Sequence, residues 1–369
     1  MKKVYIEKNN ISSKILSPLK KETIDEIEDC CSYLQEVYDP ASFSKKEKYI
    51  TIFNKYDKTF PTGLIDRVIT RLFNLGYKAI VKSDNTDKKI NIDSMMKRFK
   101  DFKLPVRDYQ IEGIMAGIEN DRGLFNWATG GGKTVLFTSI LLLYDEVSLI
   151  LVNRKELMIQ IASEISKITG RRVGMIGDGV WEPNKWTVAI VNSLSKGINS
   201  EEEGINYRTK NFLSKIKLFI GDEIHHLGSN TWVQIASSLT NASKRFGFSG
   251  TCFHPDSEDV LLTAHTGEII SEISANWLVK NGWLAEPNIY MPVIKPPKGL
   301  SIVSGWHDTR KKLMFGNKNI DESGIKFVLS MYNKGISCIY FSGNDIPYGK
   351  RIQNALIDSG VSPRDVSFM

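Results

Sequence analysis

Apolar positions in the first hundred residues come in blocks of two periods. Tyr49-Ile50-Thr51-Ile52-Phe53 has the β-branched and aromatic content of a strand. The turn Phe60-Pro61-Thr62-Gly63 leads into Leu64, Ile65, Val68, Ile69, Leu72 and Phe73, spaced as one face of a helix, with Arg67, Thr70, Arg71 and Asn74 on the other face. Gly76 is placed to end that helix, and residues 77–81 read as the next strand. An acidic helical stretch (Glu22, Asp25, Glu26, Glu28, Asp29) precedes this unit, and polar residues 82–89 follow it like a linker. The pattern predicts a small α+β domain over residues 1–98.

The pattern then changes to strands alternating with helices. Ile111, Ile114, Met115 and Ile118 lie at i, i+3, i+4 and i+7, which predicts a helix over 109–119 despite Gly113 and Gly117. A strand at 124–127, a glycine loop and a helix from Lys133 follow. Residues 147–152 form a near-continuous apolar run, as strands covered on both faces require, and further strands fit 188–191, 218–220 and 246–249. This alternation predicts an α/β domain over 99–290, a parallel sheet with helices on both faces. After a helix-like stretch at 273–281, the segment 291–369 offers a helix at 325–332, a strand at 337–341 and a helix at 350–359.

Composition narrows the class. The chain has 369 residues, 41% hydrophobic and 25% charged, which excludes collagen-like, disordered and disulfide-stapled proteins. No run of 18 apolar residues occurs and the start MKKVYIEKNN lacks a signal-peptide core, so a cytoplasmic protein is expected. Cys30, Cys31, Cys252 and Cys338 form no CxxC pair and read as free thiols. Of the net +7, residues 1–100 carry +6 (20 Lys+Arg against 14 Asp+Glu) and the remaining 269 carry +1 (29 against 28). The basic excess points to an anionic partner for the first domain, nucleic acid being the commonest, or to solvated lysines alone.

Two constellations carry chemistry. Ala128-Thr129-Gly130-Gly131-Gly132-Lys133-Thr134 follows a strand and opens a helix; its glycines turn backbone N–H groups toward phosphates, Lys133 supplies a cation, and the Thr134 hydroxyl can ligate Mg²⁺. The pattern GxxxxGK[ST] would place a further glycine at position 127, where the chain has Trp127. Asp222-Glu223-Ile224-His225 ends an apolar strand, where one carboxylate can hold Mg²⁺ and the other orient an attacking water. His226, with no third ligand at suitable spacing, reads as no metal site, and His254 and Asp256 read as loop residues.

Together these motifs resemble the RecA-like motor core of superfamily 2 helicases, over roughly residues 101–290. Leu104-Pro105-Val106-Arg107-Asp108-Tyr109-Gln110 is similar to the Q-like motif, which implies that Gln110 bonds the adenine edge and that Arg107 or Tyr109 packs on the ring. Residues 152–160, with Asn153, Arg154 and Gln160, resemble motif Ia, which contacts the nucleic-acid backbone, and Ser249-Gly250-Thr251 resembles the coupling motif III. Residues 266–270 and 277–287 resemble the interdomain junction of phage UvsW-type helicases, in which a small basic N-terminal domain contacts duplex DNA. The resemblance implies ATP and Mg²⁺ as cofactors, with Lys133, Asp222, Glu223 and His225 catalytic. It also implies branched DNA as partner and replication or recombination proteins nearby, while the absence of a long apolar run and of zinc-spaced Cys/His argues against a membrane or a structural metal.

Arg67 and Arg71 read either as phosphate contacts or as a solvated helix face. Ser337-Cys338-Ile339-Tyr340-Phe341-Ser342-Gly343 looks like motif IV, the start of a second RecA-like domain, with only two strands, or a third from Val366, before Met369. The expectation is therefore an incomplete second domain in a chain shorter than the natural protein. A nucleotide-dependent DNA-binding module without its own turnover, and an RNA helicase, stay open as alternatives; a restriction-type translocase is a further competitor, disfavoured because no nuclease signature is visible.

Overall fold

The computed structural model describes residues 1–39, 44–83, 92–102, 104, 106–224, 230–250, 259–287, 317–340 and 346–366. They fall into two compact units, 1–286 and 287–369.

The first unit opens with β1 (Lys2–Lys8), β2 (Ser12–Ile15), α1 (Lys21–Cys30), the hairpin β3 (Ser32–Asp39) and β4 (Ser44–Thr51), β5 (Thr59–Pro61), α2 (Ile65–Asn74) and β6 (Tyr77–Ser83). One sheet has the order β5-β2-β1-β6, with β1 parallel to β6 and antiparallel to β2. Period-two alternation buries Val4, Ile6 and Ile15 while Lys3, Tyr5, Glu7 and Lys14 face out. Helix α2 closes the inner face with Ile65, Val68 and Leu72, and Gly76 ends it at φ +81°, a left-handed conformation that favours glycine. The strand expected at 49–53 is β4, displaced toward the N-terminus because Phe53 leaves the ladder for the core. Residues 82 and 83 belong to β6, and 84–91 lie outside the described residues.

Helix α3 (Ile92–Asp101) crosses residue 98, and its Met95 and Phe99 enter the core of the following layer. That layer contains α4 (Asp108–Glu119), β7 (Arg122–Trp127), α5 (Lys133–Tyr144), β8 (Ser148–Val152), α6 (Lys155–Thr169), β9 (Gly174–Gly177), β10 (Val180–Glu182), β11 (Trp186–Ile190), α7 (Val191–Ile198), α8 (Glu203–Ser214), β12 (Leu218–Asp222), α9 (Asn230–Ser238), β13 (Lys244–Ser249), α10 (Asp259–Thr266), β14 (Ile269–Ile273) and α11 (Ala275–Lys280). The sheet order is β10-β9-β11-β8-β12-β13-β7-β14, parallel except for the terminal β10–β9 pair. Every residue of β8, β11 and β12 is buried, as a sheet covered on both faces demands. The stretch expected as helix over 273–281 divides: Ile273 ends edge strand β14, and Ser274 caps α11 by accepting the Trp277 backbone N–H.

Helix α10 joins the two parts of this unit. Its Val260 and Ala264 lie in the N-terminal core, and a Cβ at Gly63 would sit 1.9 Å from the Thr263 carbonyl oxygen. Asp121 accepts from Lys8 Nζ and Lys244 Nζ at 2.7 Å each, and Arg122 Nη2 donates to the Asn10 carbonyl at 3.0 Å. No helix among the described residues is long and apolar enough to cross a membrane.

The second unit shows α12 (Lys318–Tyr332) and α13 (Ile346–Asp358), with Tyr348, Ile352, Leu356 and Val361 in a small core. Both helices expected there are present and longer than the apolar spacing implied. Residues 337–340 of the expected strand 337–341 form no strand or ladder, since a strand needs a paired neighbour and none is present among the described residues of this unit. Residue 341 lies outside the described residues.

Candidate nucleotide site

Strands β7 and β12 end on the same edge of the sheet, separated by β13, and bring the two sequence constellations together. After β7 the chain turns through Gly130 (φ +84°) and Gly132 (φ +82°) into α5, so that Lys133 and Thr134 open the helix. An unblocked helix N-terminus with successive backbone N–H groups is a ready anion site. Lys133 Nζ lies 3.1 Å from Glu223 Oε1. Glu223 has φ +49°, a strained backbone for a residue with a side chain, beside the loop that carries Lys133. Asp222 is buried at 8% exposure, and its Oδ1 has no hydrogen-bond partner. Burial pushes the Asp222 carboxyl above the usual range, helped by Glu223 and opposed by Lys133.

Trp127 explains the missing glycine. Its indole is wholly buried beside Tyr109 and Phe125, and Nε1 donates to Ser271 Oγ at 2.9 Å. The space for it comes from Gly113, where a Cβ would lie 2.4 Å from the indole ring. The residue therefore belongs to the core below the loop, and the turn is made by Gly130 and Gly132 alone.

Gln110 is placed differently from the sequence expectation. It is buried, with Oε1 accepting the Arg107 backbone N–H at 2.9 Å and Nε2 donating to the Gly131 carbonyl at 3.2 Å. The start of α4 needs a cap and the loop carbonyl needs a donor, so the amide braces the loop rather than standing free for an adenine edge. Tyr109 Oη donates to the same carbonyl at 3.0 Å and accepts from Arg107 Nη1 at 2.8 Å. The wall beside it was not recognised from sequence. Trp277 and Trp283 meet the Tyr109 ring edge-on at 5.4 and 5.7 Å, Arg107 lies 4.5 Å from the Trp283 ring centroid, and Leu284 packs against Gly130. Two tryptophans six residues apart, in the 277–287 segment that resembles an interdomain junction, are the signal for it.

The other site residues are distributed as follows. Thr129 is exposed at the loop tip. Ser249 is buried at the end of β13, between the two chemical strands, while Thr251 and His225 lie outside the described residues, as do His226, His254 and Asp256. Asn153 Oδ1 accepts from Trp232 Nε1 at 2.9 Å, Arg154 is exposed at the start of α6, and Gln160 donates to Glu164. Arg67 and Arg71 are held by carboxylates: Arg67 Nε is 3.3 Å from Glu268, and Arg71 is 2.6 Å from Glu26 and 3.5 Å from Asp29. Their expected role as free phosphate contacts is not what this arrangement presents, because α1 and the turn before β14 supply counter-charges. Among the described residues no cluster of three His, Cys, Asp or Glu could hold a metal.

Residues 103–254 match the family described as "Type III restriction enzyme, res subunit", a span containing the loop and both carboxylates. The "DNA 3'-5' translocase XPB2" of Sulfurisphaera tokodaii is 28% identical over 183 residues, 48% of this chain and 39% of that protein. The "ATP-dependent DNA helicase uvsW" of Enterobacteria phage T4 is 23% identical over 263 residues, 66% of this chain and 50% of that protein. The chain thus spans between a third and a half of the length of the curated relatives it matches. Two crystal structures of T4 UvsW share the fold with a TM-score of 0.59, at 20% and 17% identity. One is covered over 99% of its length by 73% of this chain, the other over 73% of its length by 98% of this chain.

Proposed function

We propose that this chain, a member of the superfamily 2 helicases related to UvsW, is an ATP-driven DNA translocase that remodels branched DNA in replication, recombination or repair. The observation that carries the ATP-driven part is the convergence of Lys133, Asp222 and Glu223 at the mouth of the Gly130–Gly132 turn. Branched DNA as the substrate rests on the kinship with UvsW and on the basic first domain.

The donor set fits Mg²⁺ with a nucleoside triphosphate. Asp222 Oδ1 is a buried carboxylate oxygen without a hydrogen-bond donor, and the Thr134 hydroxyl stands at the start of α5. Hard oxygen ligands of this kind suit Mg²⁺, which when bound with ATP would neutralise the phosphate charge. In this reading the α5 N-terminus and Lys133 hold the phosphates, and Lys133 exchanges its Glu223 partner for them. Glu223, so released, orients the attacking water. Arg107, Tyr109 and Trp283 form the wall for the base, with Gln110 keeping Gly131 in place. Ser249 on the intervening strand is positioned to feel the nucleotide state, and Arg154 and Gln160 face the DNA.

The test is DNA-stimulated ATP hydrolysis on forks, four-way junctions and linear duplex. Lys133→Ala and Glu223→Gln each abolish it while leaving the fold intact. Wild-type turnover in either variant overturns the assignment of the site, and equal stimulation by matched RNA forks overturns DNA as the substrate.

A further inference from the structure

We propose that the open face of the N-terminal sheet binds a single strand of nucleic acid, with bases on a central apolar row and phosphates on lysines to either side. The ladder registers fix the layout. Tyr5 pairs with Ile80 on β6, and Leu16, just past β2, donates its backbone N–H to the Tyr5 carbonyl at 2.9 Å. Leu16, Tyr5 and Ile80 therefore form one row across the sheet. Two residues along, Glu7 pairs with Lys14 and Lys82; two residues back, Lys3 pairs with Lys78. Neighbouring rows on one face lie about 7 Å apart, within reach of a lysine stem.

Exposure and charge favour this occupant. Tyr5 is 38% exposed and Leu16 46%, the four lysines are exposed, and Ile80 is half-buried. Four lysines against Glu7 leave this face at +3. Lys82 Nζ already sits 5.3 Å from the Tyr5 ring centroid, so cation and aromatic are presented together. An aromatic ring on a flat basic sheet offers a stacking platform to an unpaired base, whereas a duplex keeps its bases stacked inside and could offer only phosphates. The inference rests on the reading of the chain as a nucleic-acid motor but not on its turnover, because Tyr5 and the lysines lie outside the Lys133–Glu223 site.

The experiment measures binding by the whole chain, without nucleotide, to fluorescent oligo-dT and to a blunt duplex of equal length across a salt series. Tyr5→Ala weakens oligo-dT binding by about tenfold and Tyr5→Phe does not. Replacing Lys3, Lys14, Lys78 and Lys82 together by Gln lowers the log–log salt slope by up to ~3. Circular dichroism melts and basal ATPase stay at the wild-type level in these surface variants. Oligo-dT affinity within twofold of wild type in Tyr5→Ala overturns the proposal, as does an equal loss for duplex. If the wild-type chain shows no DNA-stimulated turnover while Tyr5→Ala still loses oligo-dT affinity, the surface stands and the motor reading falls.

Discussion

Restoring the glycine that nucleotide-binding loops usually carry at position 127 should damage this protein. Trp127 has no exposed surface, and its indole contributes a large share of the core under α4 and β7. Losing about 200 Å² of buried area at ~25 cal/mol/Å² costs about 5 kcal/mol before discounting burial already present in the unfolded chain. Glycine within a strand and the orphaned Ser271 hydroxyl add about 1 kcal/mol each. The total approaches the whole stability of a typical domain. The geometry also predicts a rescue. Gly113→Leu alone drives a side chain into the indole and costs about 1–3 kcal/mol, but in a Trp127→Gly background the same leucine fills the vacated space. Urea unfolding followed by far-UV circular dichroism, which does not depend on the removed tryptophan, should give a coupling of about 2 kcal/mol or more. Trp127→Gly within 1 kcal/mol of wild type, or strict additivity in the double variant, refutes the packing account.

Two further predictions concern the body that carries the site. Burial, with Arg245 and Arg122 nearby, pushes His265 down to about 4, below its ordinary 6.5, so the folded state favours the neutral ring. Its contribution is full above pH 6.5 and is lost as pH falls toward 4, by about 3 kcal/mol; His265→Gln should flatten that part of the stability curve, and an unchanged slope would refute it. Gly63→Ala forces a methyl against the Thr263 and Ala264 carbonyls and should cost about 1–3 kcal/mol, with faster amide exchange in both α2 and α10. Exchange that rises in only one of the two helices would mean that the contact does not hold them together.

Periodicity revealed the helices and central strands because those elements bury one stripe or both faces, and burial imposes pattern. It failed where the neighbour decides. Residues 269–273 are only partly buried on the sheet edge, with Ser271 and Glu272 among them, and carry no apolar run. Residues 337–340 have strand-like composition but no ladder partner among the described residues. Arg245, just before the expected strand 246–249, is buried and donates to the carbonyls of Ala236, Leu239 and Ala242 at and beyond the end of α9, a placement no periodicity signals. The placement of the glycine loop after β7 and of Asp222-Glu223 at the end of β12 was legible because each motif lies in adjacent residues. The roles of Gln110, Trp277 and Trp283 were not, because each depends on a loop more than twenty residues away or on the return of the chain past β14.

The charge distribution acquires a different meaning once partners are assigned. The +6 of the first hundred residues pointed first to Arg67 and Arg71, but Glu26, Asp29 and Glu268 answer both. Those pairs are about a third or more exposed and so add under about 1 kcal/mol each to stability; their effect is to remove the arginines from the pool of unmatched charge. The open sheet face sets Lys3, Lys14, Lys78 and Lys82 against Glu7 alone. Lysine is a point charge without the planar fork by which arginine reads a phosphate or a guanine, so binding through this face would follow the backbone and tolerate any sequence. The Gly63–Thr263 approach and the Lys8–Asp121–Lys244 bridge fasten the same sheet to the layer that holds Lys133. A strand held there would move with the layer that holds Lys133 as one body.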